Sequence, residues 1–482
     1  MRVLICSGEA VPYAKTGGLA DVAGSLPKAL RELGHDARLA LPKYASVYEG
    51  GFATSVAAAD LQVPLGGRRV TVSVETADVS GFPAYLVVSD QHFRRPALYG
   101  HPDDAERFIV FMRGLLEFLG ESEWQPDLIH CNDWQTGLIP AYLETVYQTR
   151  LGQVATLYTV HNLAYQGNFP PEVLGLAGLP GELYNVDCLE FYGQVSFMKA
   201  GLVLADAIST VSPTYAQEIM QPEYGERLDG VLRSRQERLF GVLNGIDYDY
   251  WNPETDADLA TNYSVDSAPE GKAENKAALQ RIMHLPVRPV PLISVISRLA
   301  SQKGFDLIEQ VLPELMTRDV QFVVLGTGEP HYEQLFRELG ARYPERMAAH
   351  LGFNEALAHQ IYAGSDLFLM PSRYEPCGLG QMISMRYGTI PVVRRTGGLA
   401  DTVFPFDPDT ASGNGFVFQP YEAAALASAI HRGLEIQQRP QAWAVLMANA
   451  MTSDFSWQRS GARYLDVYQT AVDLHRRAPV LR

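Results

Sequence analysis

A hydrophobic run, Val3-Leu-Ile-Cys6, leads within a few residues into Lys15-Thr-Gly-Gly-Leu-Ala-Asp21. A buried strand that breaks into paired glycines and then a helix makes a cradle for phosphate. Glycine lets the backbone come close, and N–H groups at a helix start meet an anion with a favourable dipole. Lys15 adds a full positive charge at the same place. The six letters Thr16 to Asp21 return unchanged at Thr396-Gly-Gly-Leu-Ala-Asp401, preceded again by basic residues, Arg394 and Arg395. In a chain without low-complexity bias, this identity implies two similar halves, each presenting a glycine turn to one shared ligand.

The length of 482 residues exceeds one ordinary core and suits two domains. The hydrophobic content of 47% and charged content of 20% are those of a globular protein. A net charge of -16 argues against nucleic acid and against an anionic membrane surface, because both need a basic face. Cys6, Cys131, Cys188 and Cys377 are scattered without paired spacing, so neither a zinc site nor a disulfide framework is expected. A strand beginning at Val3 leaves no room for a signal peptide, and no apolar run reaches the ~18 residues of a membrane span. These features lead to the expectation of a cytoplasmic protein.

Apolar runs alternate with helical patterns along the first half. Strands are expected at Val3–Cys6, Ala37–Leu41, Asp127–His130 and Ala155–Val160, with irregular, hairpin-like material up to Tyr85–Val88. Pro27 predicts a kink in the first helix, or a true start nearer Ser25. A seam is expected near Asn244-Gly-Ile-Asp247, and the acidic stretch Pro253–Gly271 reads as a surface excursion. The second half restarts with strands at Pro291–Ser297, Gln321–Leu325, Asp366–Met370 and Ile390–Val393. An amphipathic helix from Gln458 to about His475 closes the chain and is expected to pack back across the first half. The fold class is α/β, with two doubly wound parallel sheets and a ligand cleft at the carboxyl ends of their strands. The expected domains are 1–243, 244–455 and a final segment 456–482.

Residues just after strands line such crevices, and most polar candidates fall there: the Lys15 loop, His130 to Asp133, His161-Asn162, Arg298 with Lys303, Gly326-Thr-Gly328, and Arg373 to Gly378. Arg298 and Lys303 are spaced to address one anion, Arg as a fork and Lys as a point charge. Alone they are more often two surface cations; beside two glycine turns they read as a pyrophosphate clamp. Glu375-Pro-Cys-Gly378 fixes a carboxylate ahead of an apolar helix, which fits either a cleft acid or a helix-capping carboxylate. His161 taken alone reads as a structural histidine, and His130 and Cys131 as packing residues. Asp-x-Asp pairs at Asp247/Asp249, Asp256/Asp258 and Asp407/Asp409 arise readily in loops of an acidic chain. A cationic clamp supplies the charge that Mg²⁺ would otherwise supply, so no metal is expected.

Together, Lys15-Thr-Gly-Gly-Leu-Ala-Asp21, His161-Asn162, Asn244-Gly-Ile-Asp247, Arg298 with Lys303, Ser372-Arg-Tyr-Glu-Pro-Cys-Gly-Leu379 and Arg395-Thr-Gly-Gly-Leu-Ala-Asp401 resemble bacterial glycogen synthase nearly end to end. The resemblance implies a GT-B fold of two Rossmann-like domains facing a central cleft, with the acceptor on the N-terminal side and the nucleotide sugar on the C-terminal side. It implies transfer of glucose from ADP-glucose, a substrate rather than a cofactor, to the non-reducing 4-hydroxyl of an α-1,4-glucan such as glycogen, with retained configuration. By the same resemblance, Lys15, Arg298 and Lys303 hold the diphosphate with backbone groups at Gly17, Gly18, Leu379 and Gly380. His161, Asn244, Glu375 and the Cys377-Gly378 turn hold the glucose, and Glu375, His161, Arg298 and Lys303 are the catalytic set. Asp21, Asp133, Trp134 and Asn162 lie on the acceptor side.

Phe353 stands where the family stacks a tyrosine on the adenine, which keeps the stacking face. Gly380 replaces a common threonine, removing a hydroxyl but keeping the N–H. Ile383 occupies the place of a second glutamate found in related glycosyltransferases; the glycogen synthase branch lacks it too. Three other readings stand beside this one. A Rossmann dehydrogenase lacks a use for the clamp, and the chain lacks the G-x-G-x-x-G spacing. A non-catalytic glucan or nucleotide-sugar sensor would tolerate loss of the clamp and of Glu375. A related glycosyltransferase could take UDP-glucose through the same cleft.

Overall fold

The computed structural model describes residues 1–78 and 81–477. The chain divides into two compact units: Met1–Gly245 together with the chain from Trp457 onward, and Ile246–Ser456. Residues 478–482 of the expected final segment lie outside the described residues.

The first unit contains β1 (Arg2–Cys6), β2 (Asp36–Pro42), β3 (Ser55–Leu65), β4 (Arg68–Asp78), β5 (Pro83–Val88), β6 (Leu128–Asn132) and β7 (Ala155–Val160). It continues with β8 (Asn168–Phe169), β9 (Glu190–Phe191), β10 (Gln194–Ser196), β11 (Ala207–Thr210) and β12 (Leu239–Gly241). Its main sheet has the order β12-β11-β7-β6-β1-β2-β5-β4-β3 and is parallel from β12 through β5. The hairpin-like region of the sequence is the antiparallel pair β3–β4 that finishes this edge. Strands β8, β9 and β10 form a separate small sheet. In β1, Leu4 and Cys6 enter the core on one face while Val3 and Ile5 enter the core on the other. That alternation of two apolar sets is why the strand reads as a continuous hydrophobic run.

The second unit holds β13 (Leu292–Ile296), β14 (Gln321–Leu325), β15 (Met347–His350), β16 (Leu367–Met370), β17 (Ile390–Arg394) and β18 (Phe416–Phe418), all parallel, in the order β15-β14-β13-β16-β17-β18. Each sheet reverses its winding beside its first strand, between β1 and β6 and between β13 and β16. Loops at such switch points diverge and leave a crevice at the carboxyl ends of the strands.

Two sequence expectations are sharpened by the structure. Of the two readings of Pro27, the start nearer Ser25 is corrected: the first helix begins at Gly18 and runs to Glu32 with Pro27 inside it. Proline costs an interior helix about 3 kcal/mol. Val22, Leu26 and Leu30 are buried on the same helix, and each contributes about 1.5–3 kcal/mol, so packing prevails. The stretch 253–271 runs largely at the surface, as expected, but it is pinned at buried points that the sequence does not mark. Asp256 is buried and accepts from His359 Nδ1 at 2.6 Å and from the Tyr387 hydroxyl, while Trp251 stacks on His359 with ring centroids 4.2 Å apart. Tyr263, also buried, donates to the Tyr387 carbonyl at 2.8 Å. Just beyond, the Lys272 ammonium spends its three donors on Ala363 O, Tyr387 O and Thr389 Oγ1. Asp256, Tyr263 and Lys272 all have partners, whereas the Nε2 of buried His359 has none among the described residues; the satisfied groups pin a polar stretch to the unit.

The C-terminal helix, Trp457–Arg477, buries Trp457, Gly461, Tyr464, Tyr468 and Val472 at helical spacing against the Gly18–Glu32 helix, β7 and β11. His130 ties it inward, sharing hydrogen bonds with Tyr468 Oη at 2.9 Å and Thr159 Oγ1 at 2.6 Å. Among the described residues no helix is long and apolar enough to cross a membrane. Tyr468→Phe leaves a buried imidazole nitrogen without its partner, a loss of about 1–3 kcal/mol. Urea unfolding should show that loss. Gln458→Ala, on the exposed side of the same helix, should stay within about 0.5 kcal/mol.

Candidate active site

In the first unit the loops after β1, β6 and β7 carry the polar groups. Asp133 follows β6 with φ of 55°, a left-handed conformation uncommon for a non-glycine residue. Its buried carboxylate accepts the His161 N–H at 2.7 Å. Burial pushes this carboxyl up to about 7, against the backbone N–H groups of His161 and Asn162, and the nearby Glu9 charge adds to the rise. Burial lowers His161 to about 3, so its ring is neutral. The Asn132 amide donates to Cys6 O and His130 O, which turns its Oδ1 towards His161 Nε2 at 2.8 Å. Nε2 therefore carries the proton, and Nδ1 is left as an acceptor.

The glycine loop ahead of the first helix is shaped by a residue the sequence reading passed over. Glu9, buried, accepts from Thr16 N at 2.6 Å and Thr16 Oγ1 at 2.5 Å. Burial raises its pKa, and the bonds from Thr16 oppose that rise. An acid seven residues ahead of a loop threonine leaves no periodic signal. Lys15 pairs with Asp21 at 2.7 Å, with side chains 37% and 31% exposed. A pair so exposed is worth about 0–1 kcal/mol, so Lys15 leaves Asp21 at little cost. Trp134 is wedged among Phe108, Phe169 and Phe197, while Asn162 caps its own turn through Ala164 N. Asn244 is buried, and its Oδ1 has no hydrogen-bond partner among the described residues.

In the second unit the loops after β13 and β16 meet. Gly304, with φ of 79°, passes so close to Pro371 that an added Cβ would lie 2.2 Å from the carbonyl oxygen. Arg373 N donates to Gln302 O at 2.8 Å. This approach sets Lys303 Nζ against both oxygens of Glu375, at 2.9 and 2.7 Å, and Ser372 Oγ donates to Glu375 at 2.9 Å. Arg298 is exposed and makes no ion pair among the described residues. Beyond Glu375, the chain passes buried Cys377 and Gly378, whose φ is 74°, into the helix Gly380–Arg386. Leu379 and Gly380 head that helix, where the first N–H groups have no intrahelical acceptor. Phe353, after β15, is 81% exposed.

The second glycine repeat does not repeat the first. Gly17 and Gly18 are exposed, whereas Gly397 and Gly398 are buried. Gly398 N donates to Glu375 O and Pro376 O at 3.1 and 3.2 Å, and a Cβ on Gly397 would lie 1.9 Å from Glu375 O. The expectation of two glycine turns offered to one ligand is therefore corrected: the second braces the backbone of Glu375. The Asp-x-Asp pairs are turns, each first carboxylate accepting the N–H two residues on at 2.9 Å.

Residues 2–234 match the model of the starch synthase catalytic domain, and residues 284–445 that of glycosyl transferases group 1. A glycogen synthase of Desulforudis audaxviator is 50% identical, over 98% of this chain and 97% of that protein. The chain belongs to the glycogen synthase family. A second glycogen synthase, from Moorella thermoacetica, is also 50% identical, with 99% and 98% covered. Among solved structures, the catalytic domain of Starch Synthase IV from Arabidopsis thaliana, bound to ADP and acarbose, aligns with a TM-score of 0.91 at 35% identity, covering 98% of this chain and 99% of that one. Sucrose-phosphate synthase from Thermosynechococcus elongatus, at 17% identity and a TM-score of 0.57, shares the fold, which is GT-B.

Two outcomes follow for this glycogen synthase family member. Gly304→Ala should displace Lys303 from Glu375 and lower kcat about 100-fold, since errors near 1 Å cost that much. The raised Asp133 pKa means the folded chain holds a proton that the unfolded chain releases between the ordinary carboxyl value and about 7. Stability from this group is full at acid pH and lost as pH rises through 7. Asp133→Asn should therefore raise the thermal midpoint at pH 8 and change it little at pH 4.

Proposed function

We propose that this chain transfers glucose from ADP-glucose to the non-reducing 4-hydroxyl of an α-1,4-glucan such as glycogen, retaining the anomeric configuration, in the cytoplasm and without a metal. The observation that carries the reading is the Glu375 carboxylate, held by Lys303 and Ser372 at the switch point of the second sheet with Arg298 exposed after the neighbouring strand.

Arg298 and Lys303 take the diphosphate, aided by the N–H groups of Leu379 and Gly380; the family resemblance assigns Lys15 to the diphosphate as well. Two or three cations suffice to stabilise the departing diphosphate, which is the role a divalent ion fills in other transferases. Phe353 offers its exposed ring to the base. As Lys303 turns to the phosphates, the Glu375 carboxylate is left facing the positive charge that grows on the anomeric carbon. The bond from that carbon to the phosphate oxygen breaks while the bond to the acceptor hydroxyl forms on the same face. The phosphate oxygen takes the hydroxyl proton. A covalent glucosyl route needs two carboxylates about 5–5.5 Å apart, and Ile383 supplies none. His161 Nδ1 and Asn244 Oδ1 are neutral acceptors suited to sugar hydroxyls, and Asp21, Asp133, Trp134 and Asn162 are assigned to the acceptor glucan.

With glycogen present, ADP release from ADP-glucose should be fast, dependent on the glucan, and unaffected by EDTA. A preference for UDP-glucose would overturn the donor but keep the reaction. Glu375→Ala should lower turnover about 10²- to 10³-fold without weakening ADP binding in calorimetry, because Lys303 is freed from its partner. Retained turnover in that variant would end the assigned role of Glu375.

A further inference from the structure

Two histidines fasten the C-terminal helix, and their partners differ in kind. His130 stands between Tyr468 Oη and Thr159 Oγ1. A hydroxyl donates or accepts, so both bonds form with a neutral ring, and burial lowers this histidine to about 3. His475, in the last turn of the helix itself, stands between groups that only accept. Its Nδ1 lies 3.1 Å from each oxygen of Asp206, and its Nε2 lies 3.0 Å from Gly152 O. A neutral imidazole has one N–H and bonds one of these partners; its other nitrogen then turns a lone pair on an oxygen. Only the imidazolium completes both bonds.

The surroundings favour that cation. Asp206 is held in place, because its Oδ2 accepts from Thr156 N at 2.8 Å and from Thr156 Oγ1 at 3.0 Å. The last turn of a helix presents carbonyls without intrahelical donors, and a positive charge there is stabilised by the helix dipole. The bond to Asp206 raises the His475 pKa above its ordinary 6.5 against the effect of burial, and the Asp206 charge, the Gly152 carbonyl and Glu144 add to the rise. Glu144, at the end of the helix Ile139–Glu144, is thus a second acid facing the ring. Of the neighbouring arginines, Arg150 pairs with Glu117, Arg235 bonds Ala205 O and Arg238 bonds Asp206 O. On the helix itself Asp473 accepts from Gln469, and Arg476 and Arg477 follow His475.

We propose that His475 is a proton-operated clasp, which as an imidazolium fastens the last turn of the C-terminal helix to the starts of β7 and β11 and on losing its proton lets that turn open. The clasp lies apart from every residue assigned to donor or acceptor, and it stands whether or not the chain forms glucan. Its sign follows from the raised pKa. The stability it gives is full below about 6.5 and is lost as pH rises through the higher value of the folded chain.

Hydrogen exchange, corrected for the intrinsic effect of pH, reads the clasp directly. Between pH 6 and pH 9, protection of the amides at 470–477 should fall roughly 5- to 30-fold more than that at 457–466, the scale of a histidine cation at a helix C-terminus. His475→Gln carries no proton to lose, and its helix end should be open alike at both pH values. An equal fall along the whole helix, or the same fall in His475→Gln, overturns the clasp. Nitrogen NMR of the His475 ring in the wild-type chain needs no variant. A titration midpoint above 6.5 is expected, with both nitrogens protonated below it; a midpoint at or below 6.5 overturns the clasp.

Discussion

The Lys303–Glu375 ion pair depends on two strands, β13 and β16, that lie side by side while the chain leaves them in opposite directions. Neighbouring strands stand about 4.7–4.9 Å apart, so their loops would be expected to separate at once. Gly304 holds them together by accepting a left-handed turn against Pro371 O, where no Cβ fits. From the third strand, β17, Gly398 donates its N–H to the carbonyls of Glu375 and Pro376. Three loops thus fix one carboxylate, and the donor-side chemistry proposed for this unit rests on that fixation. In the proposed reaction the pair is the resting arrangement, which lasts until the diphosphate offers Lys303 another partner.

The duplicated Thr-Gly-Gly-Leu-Ala-Asp segment shows how context overrides identity. In the first unit, Glu9 takes the donors of Thr16 and leaves the glycines exposed. In the second, carbonyls of the Glu375 loop take the donor of Gly398, and both glycines are buried. The six letters encode a strand-to-helix turn that admits close approach. What approaches is decided by residues outside the repeat.

This divides what the sequence made legible from what it did not. Strand ends were legible because strands buried on both faces are continuous apolar runs, and polar residues after them stand out; Lys303, Glu375, Asp133 and His161 were all found this way. Family resemblance added Asn244, which no pattern marks. Which of the two readings of Pro27 holds was not legible, because the burial of Val22, Leu26 and Leu30 that carries the helix back to Gly18 lies in tertiary contacts. Nor was the anchoring of 253–271, since Asp256 and Tyr263 meet partners about a hundred residues away or more. Glu9 escaped for the same reason as Asp256: a carboxylate that accepts backbone or ring N–H groups has no periodicity.

The two units handle charge in opposite ways, and the difference matches the tasks proposed for them. In the first, burial keeps His161 neutral and raises Asp133 to about 7, so these two buried groups carry less charge than exposed ones would. Hydroxyls need directed donors and acceptors more than they need charge, and a buried full charge without a partner would be costly. In the second, Lys303 and Glu375 are paired and Arg298 is exposed. There the reaction separates a diphosphate from a carbon that becomes positive, and only charges already fixed in place stabilise that change without reorganising at the moment of reaction. A weakly charged, hydrogen-bonding set at His161 and Asp133 and a pre-paired charged one at Lys303 and Glu375 therefore follow from one rule, which is that each group keeps the charge state its burial and partners allow.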